Sequence, residues 1–303
     1  MNWKKESAEA GKEENKMLVN MNNILLPAKK RHYGVGFFNA VNVEMARAII
    51  ETAEELRAPV MVGTAEVLLP FMPLERVAEY LIPMAQKASV PVCVHYDHGL
   101  TFEKCMEALK LGFTSVMYDC STQDYETNAE KVAEMVRICH AMGVTVEGEL
   151  GHVGDNEGAG KLDNPSDYFT DPDQAADFAR RTGIDSLAVA VGNAHGDYKF
   201  PPKLDFGRIE TIAARTGLPL VLHGGSGLSD SDFQTAVKKG VCKVNIFTDI
   251  DKAGKAGIAE GLAAGAASMT ALISYEIEAM KRVVRDKLTL FGSVSHGDES
   301  AAL

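Results

Sequence analysis

The feature that most constrains the fold of this 303-residue chain is an order of segments: from Val35 onward, short apolar runs alternate with longer amphipathic stretches, and the pair recurs eight times. The runs predict strands at 35–38, 59–63, 91–95, 113–118, 144–149, 186–191, 219–223 and 242–246. Helical periodicity fills the gaps, for example over 43–56, 74–88, 102–110, 124–141, 173–182 and 230–238. Pro59, Pro91 and Pro219 stand at strand starts, where a missing N–H costs little, and glycines before strands read as helix C-caps. Eight strand–helix units in one chain predict an α/β fold of the TIM (β/α)8 barrel type as a single domain over 17–303. A doubly wound open sheet would need a glycine-rich dinucleotide turn after its first strand, and VGFFNAVN has none. Residues 249–290 read as extra C-terminal helices rich in Ala and Gly, part of which is expected to pack against another subunit.

Composition narrows the partners. A formal charge of −11 argues against nucleic acid or an anionic membrane surface, while leaving room for a local phosphate pocket. Five cysteines without a CxxC pair give no disulfide or structural zinc framework and point to a reducing cytoplasm. No apolar stretch approaches the length of a membrane span, and the N-terminus lacks a signal-peptide core. Residues 1–16 (MNWKKESAEAGKEENK) are charged and nearly devoid of core residues, so a disordered tail is expected there.

A barrel collects chemistry at the C-terminal ends of its strands. Asn39, Asp97 with His98, Asp119, Glu149, His195, His223 and Asn245 all fall where an apolar run ends. One histidine at a strand end is more often a hydrogen-bonded structural residue than a ligand. Three of them, His98, His195 and His223, each followed by glycine, predict a zinc site with an open fourth position. Glu149 and Asp119 are candidates for a second or alternate divalent ion, against the plainer reading of loop-capping carboxylates. Asp97 can face the substrate as a general base, because neighbouring side chains diverge in extended backbone; otherwise it orients a metal-bound imidazole.

The loop 152–171 is long and glycine-rich, as expected of a lid, with Glu157 near its tip as a candidate proton donor or a solvated charge. The turn His223-Gly224-Gly225-Ser226-Gly227 precedes a helix start and offers backbone N–H groups to a phosphate, with Lys199 and Ser226 adding charge and a hydroxyl. Asn39 and Gly196 complete the candidate substrate contacts.

The phrases HYDHGLTFEKCMEALKLGFTSVMYDCS, VEGELGHVG, GIDSLAVAVGNAHGDYK, PKLDF, GLPLVLHGGSG and KVNIFTD resemble the class II, metal-dependent ketose-bisphosphate aldolases, from about Met17 to Asp249. The resemblance implies His98, His195 and His223 as zinc ligands, with Glu149 and Asp119 at an alternate metal position. It implies Asp97 as the group that moves the C4 hydroxyl proton, Glu157 as the lid acid and Asn245 as the residue beside the enediolate. Gly224 to Gly227 with Thr248 and Asp249 would cradle the phosphate, with Na+ or K+ beside it. A phosphorylated ketose would then be cleaved to dihydroxyacetone phosphate and an aldehyde by a homodimer or homotetramer.

Departures bear on the substrate. Phe247 stands where the family usually carries Asn or Asp, and Thr64-Ala65-Glu66 replaces the usual Ser-Glu-Gly. The late Asp-Pro-Arg phrase, whose Arg typically meets the second phosphate, is absent from 260–280. A distal end other than a standard 6-phosphate, or one bound by residues outside that phrase, is therefore expected. A deoxy-keto sugar acid phosphate is an alternative substrate, and a non-catalytic regulatory subunit an alternative role. Retention of the three histidines, Asp97 and Glu157 argues against the second. A zinc hydrolase on the same barrel would normally have no phosphate cradle of this kind.

Overall fold

A computed structural model describes residues 17–151, 153–155, 169–195 and 203–298, the side chains of Gly154, Asp155 and His195 excepted. The tail 1–16 and the expected site residues Glu157, Gly196 and Lys199 lie outside the described residues.

Eight parallel strands close into a barrel: β1 (Val35–Asn39), β2 (Val60–Ala65), β3 (Val92–Gly99), β4 (Ser115–Tyr118), β5 (Thr145–Leu150), β7 (Ser186–Val189), β9 (Leu220–Leu222) and β10 (Val241–Ile246). Consecutive barrel strands are neighbours, and β10 returns to β1 with Phe37 opposite Asn245. Two further strands of two residues each, β6 (Gly154–Asp155) and β8 (Ala194–His195), pair in parallel beyond the ends of β5 and β7. Each predicted strand is present within a few residues of its expected bounds, and the three prolines precede β2, β3 and β9 by one residue.

Helices α2 (Val43–Leu56), α3 (Leu74–Lys87), α4 (Phe102–Leu111), α5 (Tyr125–Ala141), α6 (Pro172–Thr182), α7 (Phe206–Thr216) and α8 (Asp230–Lys239) surround the barrel. Except at α3, which Pro73 precedes, their starts are fixed by side-chain caps, as when Asn42 accepts from Met45 N–H, or Ser229 and Asp232 form a reciprocal capping box. Gly112 ends α4 at φ 93°, a left-handed position that glycine adopts without strain.

One further helix, α1 (Met21–Arg31), closes the N-terminal end of the barrel. Met21 N–H donates to Thr145 Oγ1 at 3.1 Å, Asn22 Nδ2 donates to Asp185 Oδ1 at 2.6 Å, and Leu18 bridges to Val92. Met21, Ile24, Leu25 and Ala28 pack with Val35, Phe37, Met61, Cys93 and Cys242 as an apolar plug in the lower barrel.

The C-terminal segment forms α9 (Thr248–Ala263) and α10 (Met269–Phe291). Its glycines have an intrachain purpose. Gly254, Gly257 and Gly261 share one face of α9 that packs on α10, and a Cβ at Gly257 would stand 2.5 Å from the Tyr275 carbonyl oxygen. Only glycine permits that approach, though Leu262 and Met269 at the tip of the pair remain exposed. Among the described residues no helix is long and apolar enough to cross a membrane.

Candidate active site

The strand period of two points alternate side chains into the barrel, so Asn39, Asp97, Glu149, His223 and Asn245 reach the mouth from the ends of five strands. Asp97 is held between two amides: Asn39 Nδ2 donates to Oδ2 at 3.0 Å and Asn245 Nδ2 donates to Oδ1 at 3.1 Å. Its carboxylate is 2% exposed. Burial alone would raise its pKa, but the nearby His98, Lys243 and His223 and the bond from Asn39 hold it below the ordinary value.

His98 and Asp97 are adjacent in sequence, and extended backbone would part them. His98 instead adopts φ 42° where the β3–β4 register shifts between Tyr96 and Gly99, and both side chains enter the mouth. Gly99 makes this possible, since a Cβ there would lie 2.4 Å from Cys105 Sγ and 2.8 Å from the Met117 carbonyl oxygen. The expected divergence of the two residues is thus corrected: ligand atoms of Asp97, His98 and His223 lie within 4.8 Å of one another.

The two imidazoles are oriented from behind by carboxylates. His98 Nδ1 bonds Asp119 Oδ2 at 2.8 Å and His223 Nε2 bonds Glu147 Oε1 at 2.9 Å. If those inner nitrogens carry the protons, the outer ones, His98 Nε2 and His223 Nδ1, face each other at 2.7 Å as lone-pair donors and require a cation between them. Without a metal that cation is a proton. Burial opposes it, yet Asp97 and Asp119 prevail and push the His98 pKa up to about 10.

Asp119, bonded to His98 and to Ser121 N–H, is held well below the usual carboxylate range against the effect of burial. Burial, and then the charge of Asp119, pushes Glu149 up to about 8. Glu149 Oε1 accepts from Val153 N–H at 3.3 Å, whereas its buried Oε2 has no partner among the described residues. Atoms of His98, Asp119 and Glu149 also lie within 4.8 Å of one another. The carboxylates of Asp97, Asp119, Glu147 and Glu149 outnumber the one buried ammonium here, Lys243, so this interior suits a divalent cation in charge as well as in donors.

The glycine turn lies beside this cluster. Gly224 and Gly227 have φ 61° and 91°, and Gly225 N–H donates to the Asn245 carbonyl at 3.1 Å, leaving no room there for a Cβ. Ser226 Oγ accepts from Asp249 N–H at 3.4 Å, which joins the turn to the first residues of α9, Thr248 and Asp249. The Asp249 carboxylate itself is paired with Lys287 at 2.9 Å. Asn193 Nδ2 donates to the His223 carbonyl at 3.0 Å and so ties the approach to β8 against β9. The backbone of His195 lies in β8 opposite Asp155, and its side chain is outside the described residues.

Known proteins share this fold over nearly the whole chain. The family model "Fructose-bisphosphate aldolase class-II" matches residues 19–296. The chain belongs to this aldolase family. It is 39% identical over 282 residues to a fructose-bisphosphate aldolase of Staphylococcus epidermidis, covering 91% of this chain and 98% of that protein. It is equally, 39%, identical over 269 residues to the Escherichia coli K12 protein YdjI, covering 88% and 94%. The crystal structure of the E. coli YdjI aldolase superposes with a TM-score of 0.84 over 92% of this chain and 99% of that one, at 36% identity. The chain is accordingly a class II aldolase, a carbon–carbon lyase, in a family that is generally metal-dependent.

Sequence reasoning missed three buried residues of this aldolase: His95, Glu147 and Lys243, all 0% exposed. Each stands two residues before a mouth residue on its own strand, Asp97, Glu149 and Asn245. A charged residue at that spacing inside an apolar run was the available signal. Burial, and then the Lys243 ammonium, holds the His95 pKa well below its usual value, so the ring is neutral.

Proposed function

We propose that this protein catalyses reversible, metal-dependent aldol cleavage of a ketose 1-phosphate or ketose bisphosphate to dihydroxyacetone phosphate and an aldehyde, with residues 17–303 acting as one catalytic domain. The observation that carries the reading is the mouth cluster: a buried carboxylate clamped by two amides beside two imidazoles that present nitrogens to one point. His98 and His223 would hold a zinc ion together with His195, and Glu149 and Asp119 would receive a second divalent ion or provide an alternate position, which the proximity of their oxygens to His98 supports. When bound, zinc supplies Lewis acidity that polarises a carbonyl and stabilises charge on its oxygen.

The remaining chemistry belongs to the chain. Asp97, ionised and fixed on both oxygens, takes the proton of the C4 hydroxyl as the C3–C4 bond breaks and the aldehyde leaves. The Oδ1 atoms of Asn245 and Asn39, without a partner among the described residues, would accept from hydroxyls of the substrate. Glu157 returns a proton to C3. The turn Gly224 to Gly227, with Thr248 and the first N–H groups of α9, cradles the phosphate with Lys199, Gly196 and a monovalent cation.

A distal end without a 6-phosphate fits the rim. No Lys or Arg occurs between Lys255 and Lys281, and Phe247, which has no side-chain capping bond, offers a phenyl ring before α9. A deoxy-keto sugar acid phosphate meets the same description. The assembly is proposed as a cytoplasmic homodimer or homotetramer. The test is condensation of dihydroxyacetone phosphate with a panel of aldehydes, alongside cleavage of fructose 1-phosphate and fructose 1,6-bisphosphate. Turnover without preference for the distal phosphate supports the reading; zinc-loaded protein inert toward every pair would remove it.

A further inference from the structure

Beneath the mouth lies a polar layer that the reaction above does not use. Lys243 Nζ donates to Glu147 Oε2 at 2.7 Å, stands 3.3 Å from His95 Nε2, and lies 4.6 Å from the centre of the Phe37 ring. His95 Nδ1 is bonded to Ser115 Oγ at 2.8 Å, which leaves Nε2 as the acceptor facing the ammonium. Glu147 uses its other oxygen on His223, and Ser186 Oγ donates to Oε2 at 3.3 Å. Every partner of the ammonium is therefore an electron donor: a carboxylate, an imidazole nitrogen and an aromatic face.

The same atoms would ligate a metal. His95, Asp97 and Glu147 offer one imidazole nitrogen and two carboxylate oxygens within 4.8 Å of one another, all buried. His95 Nε2 is 3.8 Å from Asp97 Oδ1 and 3.9 Å from Glu147 Oε2. Asp97 belongs to both this group and the mouth group with His98 and His223, so the two positions are contiguous and an ion could pass from one to the other.

We propose that the Lys243 ammonium fills a second, deep metal position formed by His95, Asp97 and Glu147, and thereby confines the catalytic ion to the mouth while holding Glu147 on His223. This rests on the reading that the mouth holds a divalent ion. A tethered ammonium supplies the positive charge that the carboxylates require, and expelling it would leave buried charge unpaired. A metal in the deep position would take Asp97 as a ligand and deprive the reaction of its base. Lys243 is thus a positioning residue that acts through charge and occupancy.

The experiment is Co2+ uptake by equilibrium dialysis with visible absorption, on the wild type, Lys243→Ala and the double variant Lys243→Ala with Glu147→Gln. Lys243→Ala should bind one Co2+ per chain more than the wild type, with a new absorption component, and the double variant the same number as the wild type, its deep ligand set being broken. If Lys243→Ala does not fold as isolated, Co2+ should restore cooperative thermal unfolding, because the ion replaces the lost charge. A Lys243→Ala protein that binds the same number of Co2+ ions as the wild type with the wild-type spectrum, or that stays unfolded with Co2+, overturns the proposal. Failure of the mouth reading shows separately, as a wild type that takes up no Co2+; Lys243→Ala would then bind one ion if the deep position exists and none if it does not.

Discussion

The mouth and the layer beneath it are built from the same residue types and differ in how completely they are satisfied. At depth, Glu147 meets Lys243, His223 and Ser186, and His95 meets Lys243 and Ser115. At the mouth, one oxygen each of Asn39, Asn245 and Glu149 is buried without a partner among the described residues, and His98 holds a strained φ of 42°. Buried polar atoms left unmatched cost stability and persist where a ligand completes them. The lower layer is a support that is finished by folding, whereas the upper one, under the proposed function, would be finished by metal and substrate.

If that division holds, substitutions in the mouth should cost turnover and those below should cost metal affinity or stability. The largest effect is expected for Asp97→Asn, which should lower the rate of cleavage by about 10²–10⁴-fold as measured by steady-state kinetics, with the fold retained. Glu147→Gln should weaken metal binding by about 10–100-fold in a competition assay with a chelating dye, because the carboxylate that orients His223 is lost. Equal activity losses and unchanged metal affinity would erase the distinction between layers.

The metal-free protein sharpens it further. His98 is raised from 6.5 to about 10 and Glu149 from 4.5 to about 8. Raised groups contribute stability that is complete below their unfolded values and lost as pH rises through the folded ones. The Tm of metal-free protein should therefore fall as pH rises from about 4.5 to about 10, while metal affinity rises over the upper part of that range as His98 gives up its proton. Calorimetry in a chelator checks this, and a flat profile would speak against a protonated mouth. The smallest effect is expected for Ser115→Ala, which removes the partner of His95 Nδ1: about 1–3 kcal/mol of stability in denaturant unfolding, with turnover little changed.

Strand order and the mouth were legible in the sequence because both follow from short-range pattern: apolar runs of strand length, and polar residues where they stop. Of the expected site, Asn39, Asp97, His98, Asp119, Glu149, His223 and Asn245 converge as the barrel requires. Helix α1 was not anticipated because Pro27 interrupts its pattern, and what holds it is tertiary contact with the strand starts. The deep layer hid in plain view, since Glu147 and Lys243 look like interruptions of VTVEGE and CKVNI until their partners across the barrel are known. The shared orientation of Asp97 and His98 depends on one backbone angle that residue identity does not announce. The glycines of α9 record how closely α10 approaches, which composition alone does not specify.

The central claim, that this mouth carries metal-dependent aldolase chemistry, is tested most directly without knowing the aldehyde. Protein loaded with zinc should exchange the C3 proton of dihydroxyacetone phosphate for deuterium in heavy water, followed by NMR, and a chelator should stop it. Exchange that continues at full rate after the metal is removed, or none in protein shown to hold zinc and dihydroxyacetone phosphate, would contradict the account.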